Sequence, residues 1–117
     1  MATRMRQSSE LAGYYVDELS GWARVTTRPL FGAIALYREN QIFAMVWKGA
    51  LYFKVDSISR RDYEAAGSHP LGYEGKNDEH ALKTYWEVPA DVTEDNGTLL
   101  EWAQRAWNAA CCAGKGR

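Results

Sequence analysis

The middle of the chain constrains the fold most. Residues 31–37, 41–47 and 50–55 are three apolar runs of strand length, separated only by Arg38-Glu39-Asn40 and Lys48-Gly49. Links this short cannot carry the crossover that a parallel pair needs, so the runs are predicted to form an antiparallel meander. Each link also supplies the chemistry of a tight hairpin, since Asn40 tolerates a left-handed backbone and Gly49 adopts one without steric cost. Strand alternation puts Ile34 and Leu36 on one face, as it does Ile42, Ala44 and Val46, or Leu51, Phe53 and Val55. Tyr37, Phe43, Met45, Trp47 and Tyr52 fall on the opposite faces. Both sides of the sheet are therefore substantially apolar. Helices are expected over one, and another surface, such as a partner's, over part of the other.

The flanking segments read as helices. Leu11, Tyr15, Leu19 and Trp22 recur at i, i+4, i+8 and i+11, one face of a helix over residues 9–22 that Gly21 ends. Residues 24–27 are β-branched and end at Pro29, and Gly32 within a strand is expected to mark a bulge or a close backbone approach. After Asp56, Ser57 or Ser59 can cap a short helix through Ala66, with Gly67 just past its end. Residues 68–80 have loop composition, and residues 83–88 form a further strand stopped by Pro89. Thr98 and Glu101 make a capping box for a last helix whose apolar face is Leu99, Ala103, Ala106, Trp107 and Ala110. The order is helix, strands, helix, one or two strands, helix: an α+β domain with an antiparallel sheet. Residues 1–8 are expected to be a flexible N-terminus, 9–112 the domain and 113–117 a flexible tail.

Charge narrows the function classes. Fourteen Lys and Arg stand against 15 Asp and Glu in 117 residues, which disfavours unaided nucleic-acid binding, where phosphate neutralisation drives affinity. A basic contact through Arg4, Arg6, Arg24 and Arg28 would require those four to share one face. No apolar stretch fits a secretory signal or a bilayer span, so a cytoplasmic protein with no membrane contact is expected. Cys111 and Cys112 are adjacent, too close for a relaxed disulfide, and read as reduced thiols.

Catalytic signatures are sparse. Ser57 and Ser68 lie in no nucleophile elbow, the glycines are too scattered for a phosphate cradle, and His69 and His80 match no metal spacing. No catalytic residue, cofactor or metal is assigned on this reading. A pocket by the 68–80 loop, where His69, Asp78 and His80 could converge, is the small-molecule or enzymatic alternative. The stronger candidate is an aromatic contact surface formed by Tyr37, Phe43, Trp47 and Tyr52. Only Arg38, Lys48 and Lys54 accompany it as cations, which favours a protein contact over base stacking.

The residues also resemble a family. Arg28-Pro29-Leu30-Phe31-Gly32-Ala33-Ile34-Ala35-Leu36-Tyr37, then Ile42-Phe43-Ala44-Met45-Val46 and Leu51-Tyr52-Phe53-Lys54-Val55-Asp56, resemble the N-terminal domain of the TfoX/Sxy regulators of natural competence for DNA transformation. Tyr63-Glu64-Ala65-Ala66-Gly67-Ser68, Tyr85-Trp86-Glu87-Val88-Pro89 and Leu100-Glu101-Trp102-Ala103 continue the likeness. Ala33 stands where a second Gly is common in the family, and Glu39-Asn40 where Asp-Gly is common. The resemblance implies an α–β(3)–α–β(2)–α order similar to secretion chaperones and no catalytic residues. As a stand-alone domain, the chain is then expected to be a non-enzymatic transcription co-regulator acting through a protein partner, with transcription machinery or a second copy in a homodimer as candidates. Direct nucleic-acid binding is the alternative.

Overall fold

The computed structural model describes residues 2–30, 32–71 and 82–115. Helix α1 (Ala2–Glu18) runs into a 3-10 turn, Leu19–Gly21, and four strands follow: β1 (Thr26–Leu30), β2 (Ala33–Arg38), β3 (Gln41–Trp47) and β4 (Ala50–Lys54). Then come α2 (Arg60–Ala65), β5 (Pro70–Leu71), β6 (Leu82–Glu87), α3 (Ala90–Thr93) and α4 (Asn96–Lys115). The strands make one six-stranded antiparallel sheet in the order β1-β2-β3-β4-β6-β5. The fold is α+β, as the periodicities predict.

Both predicted hairpins close on two residues. Glu39 and Asn40 have φ of 52° and 68°, and Lys48 and Gly49 have 49° and 80°, so each turn has the paired left-handed geometry that matches strand twist. Arg38 consequently faces Gln41, and Trp47 faces Ala50. The meander has one strand more than the α–β(3)–α–β(2)–α order implies. β1 pairs with β2 through Pro29↔Ile34 and Leu30↔Ala33. It is an edge strand, where the N–H that proline lacks is least missed. Gly32, φ 82°, therefore lies in the β1–β2 turn instead of within a strand.

The helix starts differ from expectation because carboxylates do the capping. Asp56 Oδ1 accepts from the amides of Ile58 (3.1 Å) and Ser59 (2.8 Å), and Ser59 Oγ accepts in return from the Asp56 amide (3.1 Å). Asp56, and neither Ser57 nor Ser59, begins the turn leading into α2. Likewise α4 starts at Asn96, with Asp95 Oδ2 accepting from the Thr98 amide (3.0 Å) and hydroxyl (2.5 Å). An ionised acceptor beats a hydroxyl at the positive end of a helix. Bonds from Ser59 and from Thr98 hold the two carboxyls below the usual range. At the other end of α2, Gly67 (φ 79°) donates to Glu64 O and Ser68 to Tyr63 O, the two bonds of a Schellman ending.

Helices α1 and α4 pack on one face of the sheet, with Tyr63 of α2 and Val92 of α3 joining the same core. Leu19, Leu36, Phe43, Val46, Phe53 and Leu99 are its fully buried large side chains. Trp22 meets Phe43 edge-on at 5.4 Å, Tyr63 meets Trp102 at 4.8 Å, and the Arg38 guanidinium lies between the rings of Trp22 (4.7 Å) and Trp107 (4.9 Å). The Asp62–Arg105 ion pair ties α2 to α4. Leu99, Ala103, Ala106 and Ala110 face this core as their helical spacing predicts.

Candidate partner-binding face

The outer face of the sheet is set by an irregularity in β3. Pairing with β2 slips between Leu36↔Ala44 and Tyr37↔Ile42, leaving Phe43 as an extra residue. Such a bulge breaks the alternation of the strand by one position. Phe43 thus turns inward beside Ala44 and Val46 and is 0% exposed, whereas Ile42 turns outward. Both reverse the faces expected from strict alternation. Of the four predicted contact residues, Tyr37, Trp47 and Tyr52 share the outer face. Phe43 does not, because it belongs to the helix-covered core.

A second apolar cluster occupies this outer face. Met45, Tyr52, Leu71 and Tyr85 are buried in it, and Leu30, Ile42, Trp47 and Ala50 pack against them. All these members lie on strands. Trp47 and Tyr52 meet edge-on at 6.3 Å, and Tyr37, paired with Ile42, is close enough to Tyr85 to affect its ionisation. Tyr85 and Leu71 were missed from the sequence because their partners are set by long-range pairing: β6 inserts between β4 and β5. The weak alternation around Tyr85 was the available signal.

Three cations lie over rings of this face. Arg28 is 5.5 Å from the centroid of Tyr37, Lys48 is 4.5 Å from that of Trp47, and Lys54 is 5.1 Å from that of Tyr85. Arg28 comes from edge strand β1, Lys48 from the β3–β4 turn and Lys54 from the end of β4. Lys54 also donates to Thr84 Oγ1 at 3.4 Å, and burial lowers its pKa. Burial, assisted by the Glu87 carboxylate, pushes Tyr52 up to about 12. Burial, assisted by Tyr37, does the same to Tyr85. Both phenols are therefore neutral hydrogen-bond donors at physiological pH. Glu87 lies opposite Tyr52, and its Oε1 is 3.0 Å from His69 Nε2.

The loop-pocket candidate keeps only part of its set. A cleft of about 340 Å³ runs between the end of α2 and the start of α3, lined by Ser68, His69, Glu87 and Asp91 among others; Asp78 and His80 lie outside the described residues. The Ser68 hydroxyl donates its proton to the Glu87 carbonyl at 2.5 Å, and His69 Nδ1 is 3.2 Å from Pro70 O. Ser68 thus spends its proton on joining the loop to β6, and not on an imidazole base. Of the four arginines, Arg28 lies over Tyr37 on the outer face of the sheet; the side chains of Arg4 and Arg6, in α1, lie outside the described residues. Among the described residues, no helix is long and apolar enough to cross a membrane.

The family model of the TfoX N-terminal domain matches residues 17–110, most of the chain. No curated protein matches it.

Proposed function

Because the chain belongs to the TfoX N-terminal domain family, a competence-related family of non-catalytic, regulatory type, we propose that it is a non-enzymatic cytoplasmic interaction module. It works as a transcription co-regulator through a protein partner, and the outer sheet face around Tyr37, Trp47 and Tyr52 is the contact surface. The observation that carries this reading is the two-sided apolar sheet. One side is buried by helices, and the other bears an aromatic cluster built from strand residues. Tyr and Trp in such a cluster, with one end apolar and the other polar, are the residues that dominate protein-binding energetics.

The test is affinity capture from nuclease-treated lysate with the wild-type chain and Trp47→Ala side by side. RNA polymerase subunits or a transcription factor should be retained by the wild type and lost by the variant at equal folded concentration. Identical capture by both would remove the outer face from the interaction, and survival of the signal only without nuclease would make it nucleic-acid mediated.

A further inference from the structure

On the reading that the outer face is the contact surface, we propose that its partner is an acidic protein segment whose aromatic or aliphatic side chains sit between the three ring-bound cations. The arrangement of charge supports this choice. Arg28, Lys48 and Lys54 stand on three different elements, each over a ring of the same face; Met45, Tyr52 and Tyr85 are themselves buried, and the half-buried Tyr37, Ile42 and Trp47 present the apolar surface that a partner's side chains can meet. Glu87, which faces Tyr52 across the β4–β6 pair, has its carboxylate 3.0 Å from His69 Nε2. Among the described residues, no ion pair engages Arg28, Lys48 or Lys54. Carboxylates can approach such cations from solvent while they stay over their rings, gaining charge-assisted hydrogen bonds. Lys54 would gain most, because it is already partly stripped of water and a facing carboxylate restores what burial took from its charged form.

The same geometry disfavours a single-stranded nucleic acid. Base stacking needs the open face of a ring, and over Tyr37, Trp47 and Tyr85 that position holds a cation. A stacked base would have to displace three cation–ring contacts, whereas a carboxylate displaces none.

The probe is a fluorescein-labelled random copolymer of glutamate and tyrosine, followed by fluorescence anisotropy, with polyglutamate, a lysine–tyrosine copolymer and an oligothymidylate as comparisons. The wild type should bind the glutamate–tyrosine copolymer best, and more weakly as salt rises. Each exposed ion pair contributes a factor of roughly two to three in affinity, so Arg28→Gln/Lys48→Gln/Lys54→Gln should weaken binding about ten-fold. Lys48→Glu, at an exposed turn position that neither core buries, repeats the test should the triple variant fail to fold. Absence of copolymer binding, equal binding by the charge variants, or tighter binding of oligothymidylate would each overturn the acidic-partner inference. If the charge variants bind normally while Trp47→Ala does not, the face remains the contact surface and only the partner chemistry is wrong. If Trp47→Ala also binds normally, the contact surface itself is misplaced.

Discussion

Replacing Ile42 and Phe43 singly by alanine separates a bulged β3 from a regularly alternating one. Phe43 is fully buried and meets Trp22 edge-on at 5.4 Å and Phe53 at 6.2 Å. Removing such a ring forfeits the transfer energy of its buried area, leaves a cavity and breaks the edge-to-face contact, for a cost of about 3–5 kcal/mol. Ile42 is half-buried on the outer face, so its truncation loses roughly half the transfer energy of a core isoleucine, about 1–2 kcal/mol. For a domain of this size each kcal/mol moves the melting temperature by roughly 3–6 °C. Phe43→Ala should therefore melt about 10–20 °C lower and Ile42→Ala about 5 °C lower. Urea unfolding followed by tryptophan fluorescence, with thermal unfolding by circular dichroism, measures both, and Trp22 lies beside the perturbed ring. The reasoning is refuted if Ile42→Ala costs as much as Phe43→Ala, since unbroken alternation buries Ile42 and exposes Phe43.

Asp56→Ala should lose about 1 kcal/mol of stability at pH 7 by uncapping the turn into α2. Its native carboxyl titrates below the unfolded value, so that contribution is full above about pH 4 and vanishes as pH falls through the depressed pKa; the gap between wild-type and variant urea midpoints should close over that range. Tyr52 and Tyr85 are both pushed up to about 12, so their phenols should remain un-ionised as exposed tyrosines titrate near pH 10. Stability should fall as pH rises from the unfolded value of about 10 toward 12, and a spectrophotometric titration at the phenolate band that shows every tyrosine ionising near 10 without unfolding would contradict their burial. Replacing Glu39-Asn40 by Asn-Gly should stabilise the β2–β3 hairpin by about 1 kcal/mol. Glu39 holds φ 52° at a steric cost, while its 3.8 Å contact with Arg38 is a long one made by an exposed carboxylate and of little value; an unchanged or lower urea midpoint would argue against that turn geometry.

Much of the architecture was legible because it depends on local chemistry. Asn40 and Gly49 announce two-residue hairpins, and two-residue hairpins force antiparallel pairing whatever the rest of the chain does. The helical spacing of Leu99, Ala103, Ala106 and Ala110 likewise marks the face of α4 that the core receives. Caps were less legible, because Asp56 and Asp95 compete with Ser57, Ser59 and Thr98, and residue type alone does not say which neighbour the backbone turns at. β1 was partly hidden by Pro29, which argues against a strand unless the strand is known to lie at an edge.

Sequence by itself therefore determined an antiparallel α+β sheet, apolar on both faces, with an aromatic surplus that helices on one side would not absorb. Only the tertiary structure decided which aromatic lies on which face. In a strand apolar on both sides, either register buries hydrophobic surface, so the alternation of β3 carries almost no preference of its own. Packing of Phe43 against Trp22 and Phe53, residues brought together from a helix end and another strand, selects the bulge. That one slipped residue moves Phe43 into the core and leaves Tyr37, Trp47 and Tyr52, with three cations over neighbouring rings, as the outer face.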